Sequence, residues 1–233
     1  MARHTETLAR IPVFQGLDEE AVRRLDTQCL WRRYDAEMEI LGYKDDSSDV
    51  YFVAAGKVRV MIPSVKGKDT IFRDIDAGEF FGELAAIDGK ERSASIVALT
   101  NATLARMPDR VFRDTLASYP PVCARILEML VSRVRSLSDR VNEFRTLPVN
   151  NRVHAELLRL ARPGESGGKE AIISPPPYHH EIAARVSTHR EAVSRELKRL
   201  EREGLLEKRR GALVLKDIGA LAELVERAHE DID

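Results

Sequence analysis

Phe80-Phe81-Gly82-Glu83-Leu84-Ala85, with Arg92-Ser93-Ala94-Ser95 a few residues on, puts a glycine, an acid, a base and two hydroxyls into a short span of chain. Arg92 can make a charge-assisted, bidentate bond to a phosphate. Ser93 can add its hydroxyl and backbone N–H, and Glu83 can accept from a ribose 2′-hydroxyl. Gly82 allows close backbone approach. The turn at residues 82–84 is expected to open a short helix, whose N-terminus attracts anions. The set suits a cyclic phosphate and its sugar. Taken singly, Glu83 and Arg92 would fit a surface ion pair; the joint pattern favours a site.

Working outward, short β-type runs at residues 50–53, 58–62, 70–75, 96–99 and 103–107 are punctuated by Gly42, Gly56, Gly67, Gly78 and Gly89. That spacing predicts a small antiparallel jelly roll. Upstream, residues 5–30 read as short helical pieces broken at Gln15-Gly16. Leu17-Asp18-Glu19-Glu20 then starts a helix with acids in its first turn, as the helix dipole favours.

Downstream, Pro120-Pro121 marks the start of a long helix. Cys123, Leu127, Leu130, Val134, Leu137, Val141 and Phe144 alternate spacings of four and three, a coiled-coil seam. Arg125, Glu128, Arg133, Arg135, Asp139 and Arg140 form the expected polar outer face. The seam predicts a homodimer axis; the competing reading is a helix packed on its own domain. Leu147-Pro148-Val149-Asn150-Asn151 reads as a hinge, with Asn150 or Asn151 capping a helix over residues 152–161. Residues 162–169 read as an exposed loop.

His180-Glu181-Ile182-Ala183-Ala184-Arg185-Val186 reads as the first helix of a helix-turn-helix, with Ile182, Ala183 and Val186 inward and Ser187-Thr188 as the turn. Thr188 and Glu191 have capping-box spacing. Val193, Leu197 and Leu200 share one face of the second helix, while Arg190, Ser194 and Arg195 share another. Its N-terminal end can enter a major groove. Arg190 and Arg195 suit guanine O6/N7 and Glu191 suits cytosine N4, although capping by Glu191 and phosphate contact by the arginines would also use these residues. Residues 205–215 read as a wing around Gly211, with Lys208, Arg209 and Arg210 as phosphate contacts or, on the plainer reading, a solvated charge run. His179-His180-Glu181 lacks further ligands, so no metal site is expected.

The 233 residues carry a net charge of −1, but residues 181–216 hold ten Lys/Arg against six Asp/Glu, a local basic face. Cys29 and Cys123, the two cysteines, offer no disulfide framework or zinc spacing and are expected as core thiols of a reducing cytosol. No apolar run reaches membrane-span length and Met1-Ala2-Arg3-His4-Thr5-Glu6 lacks a signal-peptide core, so a cytoplasmic protein is expected. The chain beyond Phe144 is too short for a kinase or transferase domain, which argues against an enzyme.

Gly82-Glu83-Leu84-Ala85 with Arg92-Ser93-Ala94 resembles the phosphate-binding cassette of the cyclic-AMP receptor protein/fumarate-nitrate regulator (catabolite activator) family. Val13-Phe14-Gln15-Gly16-Leu17, Val50-Tyr51-Phe52-Val53 and Gly56-Lys57-Val58-Arg59-Val60 resemble its opening and early strands, and Arg190-Glu191 with Arg195 resembles its recognition helix. The resemblance covers nearly the whole chain. It implies an α+β fold: a cyclic-nucleotide-binding β jelly roll (1–118), a dimerisation helix (119–146), a hinge (147–151) and a winged helix-turn-helix (152–233). It implies that Gly82, Glu83, Leu84, Ala85, Arg92, Ser93 and Ala94 hold the sugar and phosphate of an allosteric ligand, cyclic AMP as first expectation and cyclic GMP as second. Base contact falls to Leu137-Ser138, where relatives carry two hydroxyls; only Ser138 keeps one. The implied partners are a second copy of the chain, double-stranded DNA with TGTGA-like palindromic half-sites, and RNA polymerase at the 162–169 loop. His179, His180, Thr188 and His189 join Arg190, Glu191, Ser194, Arg195 and the wing cations at DNA. The alternative is a same-family regulator that binds DNA without a cyclic nucleotide or answers another effector.

Overall fold

The computed structural model describes residues 7–64, 69–164 and 169–230. Gly67, residues 165–168 of the expected loop and the first six residues lie outside them. The chain packs as two compact units, Met1–Arg133 and Val134–Asp233.

In the first unit, two 3-10 turns (Leu8–Arg10 and Pro12–Phe14) lead to α1 (Glu19–Asp26), capped by the Asp18 carboxylate, which accepts from the Ala21 N–H at 2.7 Å. Eight strands follow: β1 (Leu30–Tyr34), β2 (Glu39–Leu41), β3 (Val50–Ala55), β4 (Lys57–Ile62), β5 (Thr70–Asp76), β6 (Phe80–Phe81), β7 (Ser95–Ala98) and β8 (Ala102–Met107). They form two antiparallel four-stranded sheets, ordered β1-β8-β3-β6 and β2-β7-β4-β5. β3 is apolar throughout because both its faces are covered. Tyr51 and Val53 pack between the sheets, while Val50 and Phe52 join the cluster around Phe14 and Phe80. Gly56 turns β3 into β4 at φ +86°, where a Cβ would collide with the Asn101 carbonyl. α2 (Glu83–Asp88) and α3 (Asp109–Ser118) complete the roll, and α4 (Pro120–Thr146) runs on into the second unit.

The expected core thiols are only partly buried; burial and Asp26 push the Cys29 thiol up to about 12. The seam of α4 carries Leu127, Val134, Leu137, Val141 and Phe144 exposed, with Leu130 and Cys123 half-buried. The expected polar outer face needs correcting. Arg125 donates to the Val13 carbonyl, Arg133 pairs with Glu83, and Arg140 donates to the Arg185 carbonyl, so these cations are tied into the fold rather than left to solvent.

The second unit adds α5 (Val149–Leu160), α6 (His179–Val186), α7 (Arg190–Arg202) and α8 (Ile218–Glu230) to a sheet ordered β11-β12-β10-β9, made of β9 (Arg162–Pro163), β10 (Ala171–Ile173), β11 (Leu206–Arg209) and β12 (Ala212–Leu215). Ile182, Ala183, Val186, Val193, Leu197 and Leu200 form its core, as expected. Two expected caps are absent. Pro148 occupies the cap position of α5, which begins at Val149; Asn151 lies within the helix, buried, donating to the Leu224 carbonyl at 2.6 Å. The Thr188–Glu191 box does not form. The turn is closed instead by Ser187 at φ +52° and by the Thr188 N–H on the Ala183 carbonyl, so helical geometry starts only at Arg190, with His189 as cap residue. Glu181 does reach back one helix earlier, accepting from the Tyr178 N–H at 2.8 Å.

His154 of α5 lies buried against Glu196 of α7, Nε2 to Oε1 2.6 Å, and Arg199 braces the same carboxylate at 2.8 Å. Burial lowers the His154 pKa, partly offset by Glu196. A histidine whose folded pKa lies below its unfolded value contributes stability that is lost as pH falls through about 6.5. Urea unfolding should therefore show stability declining from pH 7 to pH 5, by at most about 1.4 kcal/mol per pH unit from this group, with the decline flattened in His154→Gln. Gly82, at φ +85°, is held between β6 and α2 where a Cβ would lie 2.8 Å from both Arg92 Nη1 and the Asp49 carbonyl. Gly82→Ala should cost at least about 1 kcal/mol in the same assay through left-handed strain alone.

Candidate functional site

The cassette is built around a buried cation. Arg92 is 3% exposed. Its Nε donates to Ser47 Oγ (3.0 Å), Nη1 to the Gly82 carbonyl (2.9 Å) and Nη2 to the Asp49 carbonyl (2.8 Å). Burial lowers its pKa, opposed by Tyr51, Asp49, Asp45 and Glu83. Gly82 and Arg92 are thus in contact. Glu83, also buried, turns to another partner: Arg133 Nη1 meets its Oε1 at 2.5 Å, while Arg133 Nη2 donates to the Phe80 carbonyl at 3.1 Å. A surface ion pair between Glu83 and Arg92 is therefore not what these two residues form. Ser93 is exposed and lines a cleft with Tyr43, Lys44, Lys90 and Arg92, Leu84 is exposed on α2, and Ala85 and Ala94 face the interior.

Arg133 was missed by the sequence reading. The available clue was its position four residues before Leu137, on one side of the helix. Beside it, Arg73 of β5 donates from Nη1 to Glu79 Oε1 at 2.9 Å, and Glu79 Oε2 accepts from the Asp76 N–H at 2.9 Å. In the second unit, Leu137 and Ser138 are exposed on α4, with the Ser138 hydroxyl donating to the Val134 carbonyl at 3.0 Å.

The α7 surface presents Arg190, Glu191, Ser194, Arg195 and Lys198 along one open groove. His179 Nδ1 lies 2.6 Å from Ser194 Oγ, joining α6 to α7; burial, Lys208 and Arg190 lower its pKa. His180 stacks on Tyr178, His189 and Arg210 are exposed, and Thr188 is half-buried in the turn. On the wing, Lys208 pairs with Glu201 and Arg209 with Glu207, each at 2.9 Å. Arg185, to which the sequence reading gave no role, is buried. It lies 3.6 Å from Glu156, which also meets Arg140 at 3.6 Å and Arg159 at 2.7 Å. Among the described residues no group of three or more His, Cys, Asp or Glu is placed to hold a metal ion, and no helix is long and apolar enough to cross a membrane.

Residues 31–119 match the cyclic nucleotide-binding domain family and residues 151–224 the Crp-like helix-turn-helix domain. The chain is 30% identical to the cyclic AMP receptor protein of Thermus thermophilus over 213 residues, 91% of this chain and 96% of that one. It is 29% identical over 205 residues to the cAMP-activated global transcriptional regulator CRP of Haemophilus influenzae, covering 83% and 90% of the two chains. Among solved structures, the Thermus thermophilus catabolite activator protein is similar at 29% identity and a TM-score of 0.53 over 93% of this chain and 99% of that one. A CooA mutant from Carboxydothermus hydrogenoformans shares the fold at 19% identity and a TM-score of 0.78, covering 92% and 95%. A cyclic nucleotide-binding roll followed by a Crp-like helix-turn-helix, matched end to end by such relatives, makes this chain a member of the cyclic AMP receptor protein family of DNA-binding transcription regulators.

Proposed function

We propose that this chain is a homodimeric regulator whose binding to palindromic DNA is controlled by a cyclic nucleotide held at the cassette. The observation that carries the reading is the buried Arg92–Gly82 contact beside Glu83, which supports a phosphate and ribose site at the cassette. Relatives named as cyclic AMP receptor or cAMP-activated regulator support a cyclic nucleotide as effector. The exposed apolar stripe of Leu127, Val134, Leu137, Val141 and Phe144 supports pairing with a second copy through α4, since a monomer rarely leaves such a stripe in water.

On this reading residues 1–118 sense, 119–146 pair, 147–151 hinge and 152–233 read DNA. Ligand favours one arrangement of the hinge, setting two recognition helices one DNA turn apart, roughly 34 Å. Arg190, Glu191 and Arg195 read TGTGA-like half-sites. Lys208, Arg209 and Arg210 hold phosphates, with His179, His180, Thr188, His189 and Ser194 alongside. The chain works in the cytoplasm, carries out no catalytic step of its own, and meets RNA polymerase through its 162–169 loop.

Arg92→Ala should abolish nucleotide-dependent DNA binding in an electrophoretic mobility assay, at a cost in the stability of the first unit that urea unfolding measures. Unchanged DNA binding in that variant would favour a regulator independent of the nucleotide. Arg195→Ala should cost about 1–3 kcal/mol of specific affinity and relax base choice at one position, whereas Lys208→Ala should weaken all sequences alike and reduce the salt slope by about 1.

A further inference from the structure

Among the described residues of the first unit, two half-buried arginines each carry a buried N–H with no acceptor: Arg73 at Nη2 and Arg133 at Nε. Neighbouring nitrogens of each group are occupied. Arg73 Nη1 is held by Glu79 (2.9 Å), and Arg133 is held by Glu83 (2.5 Å) and the Phe80 carbonyl (3.1 Å). Glu79, Phe80 and Glu83 belong to one short stretch of chain, the cassette's leading edge, so the two arginines flank it. They are close enough to repel: burial lowers the Arg133 pKa and the charge of Arg73 lowers it further, against Glu83 and Glu79. Buried N–H donors without acceptors are rare, and each has a free-energy cost that a partner would remove. Here two stand beside a proposed ligand site, on like charges that an electron-rich group would also relieve.

This step rests on the cyclic-nucleotide reading. There the phosphate falls to Arg92 and the ribose to Glu83, so the part of the ligand left to meet Arg73 is the base. A guanidinium only donates. Guanine offers it two adjacent acceptors, O6 and N7. Adenine puts an amino donor where O6 would be, and two donors would face each other. Glu79 fixes the angle of the fork, gripping Arg73 with one oxygen and the β5–β6 turn with the other. We propose that Arg73, braced by Glu79, is the residue that selects the base, and that the site prefers a guanine cyclic nucleotide to an adenine one.

Calorimetric titration of the full chain with cyclic GMP and, separately, cyclic AMP tests this, alongside Arg73→Leu, Arg73→Lys and Glu79→Gln. The wild type should bind cyclic GMP about tenfold or more tightly than cyclic AMP, as one good guanine–arginine contact provides. Arg73→Leu should lose about that factor for cyclic GMP and stay within about threefold for cyclic AMP. Arg73→Lys keeps the charge but not the planar fork and should lose the preference too, which carries the test if the leucine variant does not fold. Glu79→Gln should narrow the ratio. A wild type that binds cyclic AMP as well as cyclic GMP, or Arg73 variants that weaken both equally, overturns the assignment and leaves the cyclic-nucleotide reading standing. No binding of either nucleotide sinks both.

Discussion

A guanidinium taken out of water must be surrounded by oxygens, and the first unit is organised around meeting that demand for Arg92. Leaving a buried charge unpaired costs several kcal/mol, so the three oxygens that meet it constrain everything near them. Ser47 and Asp49 fix the approach to β3, and the Gly82 carbonyl fixes the turn between β6 and α2. That turn must come so close that position 82 has no room for a Cβ. The left-handed glycine, the short helix and the central strand are thus consequences of one cation. The same packing presents Glu83 and Ala85 inward while Ser93 and Leu84 stay at the surface.

The long helix α4 follows the same rule with the opposite visible result. Its cations do not make a wet face. Arg125, Arg133 and Arg140 each reach a carbonyl or carboxylate of the unit they belong to, while the apolar seam is left exposed. Charged side chains with long apolar stems can be half-buried at little cost when their heads find partners. A leucine stripe has no such option and can be removed from water only by another apolar surface. The helix therefore anchors inward through its polar residues and offers its apolar ones, a division that favours pairing of two copies over packing of the seam within one chain.

Strands β3, β4, β5, β7 and β8 were legible because each carries several apolar residues in a short run between turn residues. β1 was not, because Leu30-Trp31-Arg32-Arg33-Tyr34 mixes charge into a largely exposed strand, and β2 and β6 are too short to show a period. α3 has Asp109 in its first turn, but Phe112 is its one fully buried apolar residue, flanked by Val111 and Leu116 only partly buried, which leaves its apolar face short. The cassette and the recognition helix were legible as residue types at fixed spacing. Their partners were not: Arg73 and Arg133 meet Glu79 and Glu83 through the fold, and no local pattern states such a pairing. Caps failed for a related reason. Thr188 has the right neighbour in sequence, but a backbone bond to Ala183 closes the turn before the hydroxyl is needed.

The arginines and lysines of the second unit divide by burial, and burial decides what each can do. Arg140 and Arg185 meet a Glu156 that is 2% exposed, and Arg185 is itself buried. Separating such groups would strand a charge, so this cluster behaves as a rigid joint between α4, α5 and α6. Lys208 and Arg209 also have carboxylate partners, Glu201 and Glu207, at a shorter 2.9 Å. Those pairs are largely in water, where an ion pair contributes about 0–1 kcal/mol and is screened by salt. A phosphate can displace Glu201 or Glu207 at little cost, whereas nothing in solution can displace Glu156. Distance alone would rank the wing pairs as the tighter set. It is the difference in exposure that leaves the wing available to a polyanion while the joint holds α6 against α4 and α5.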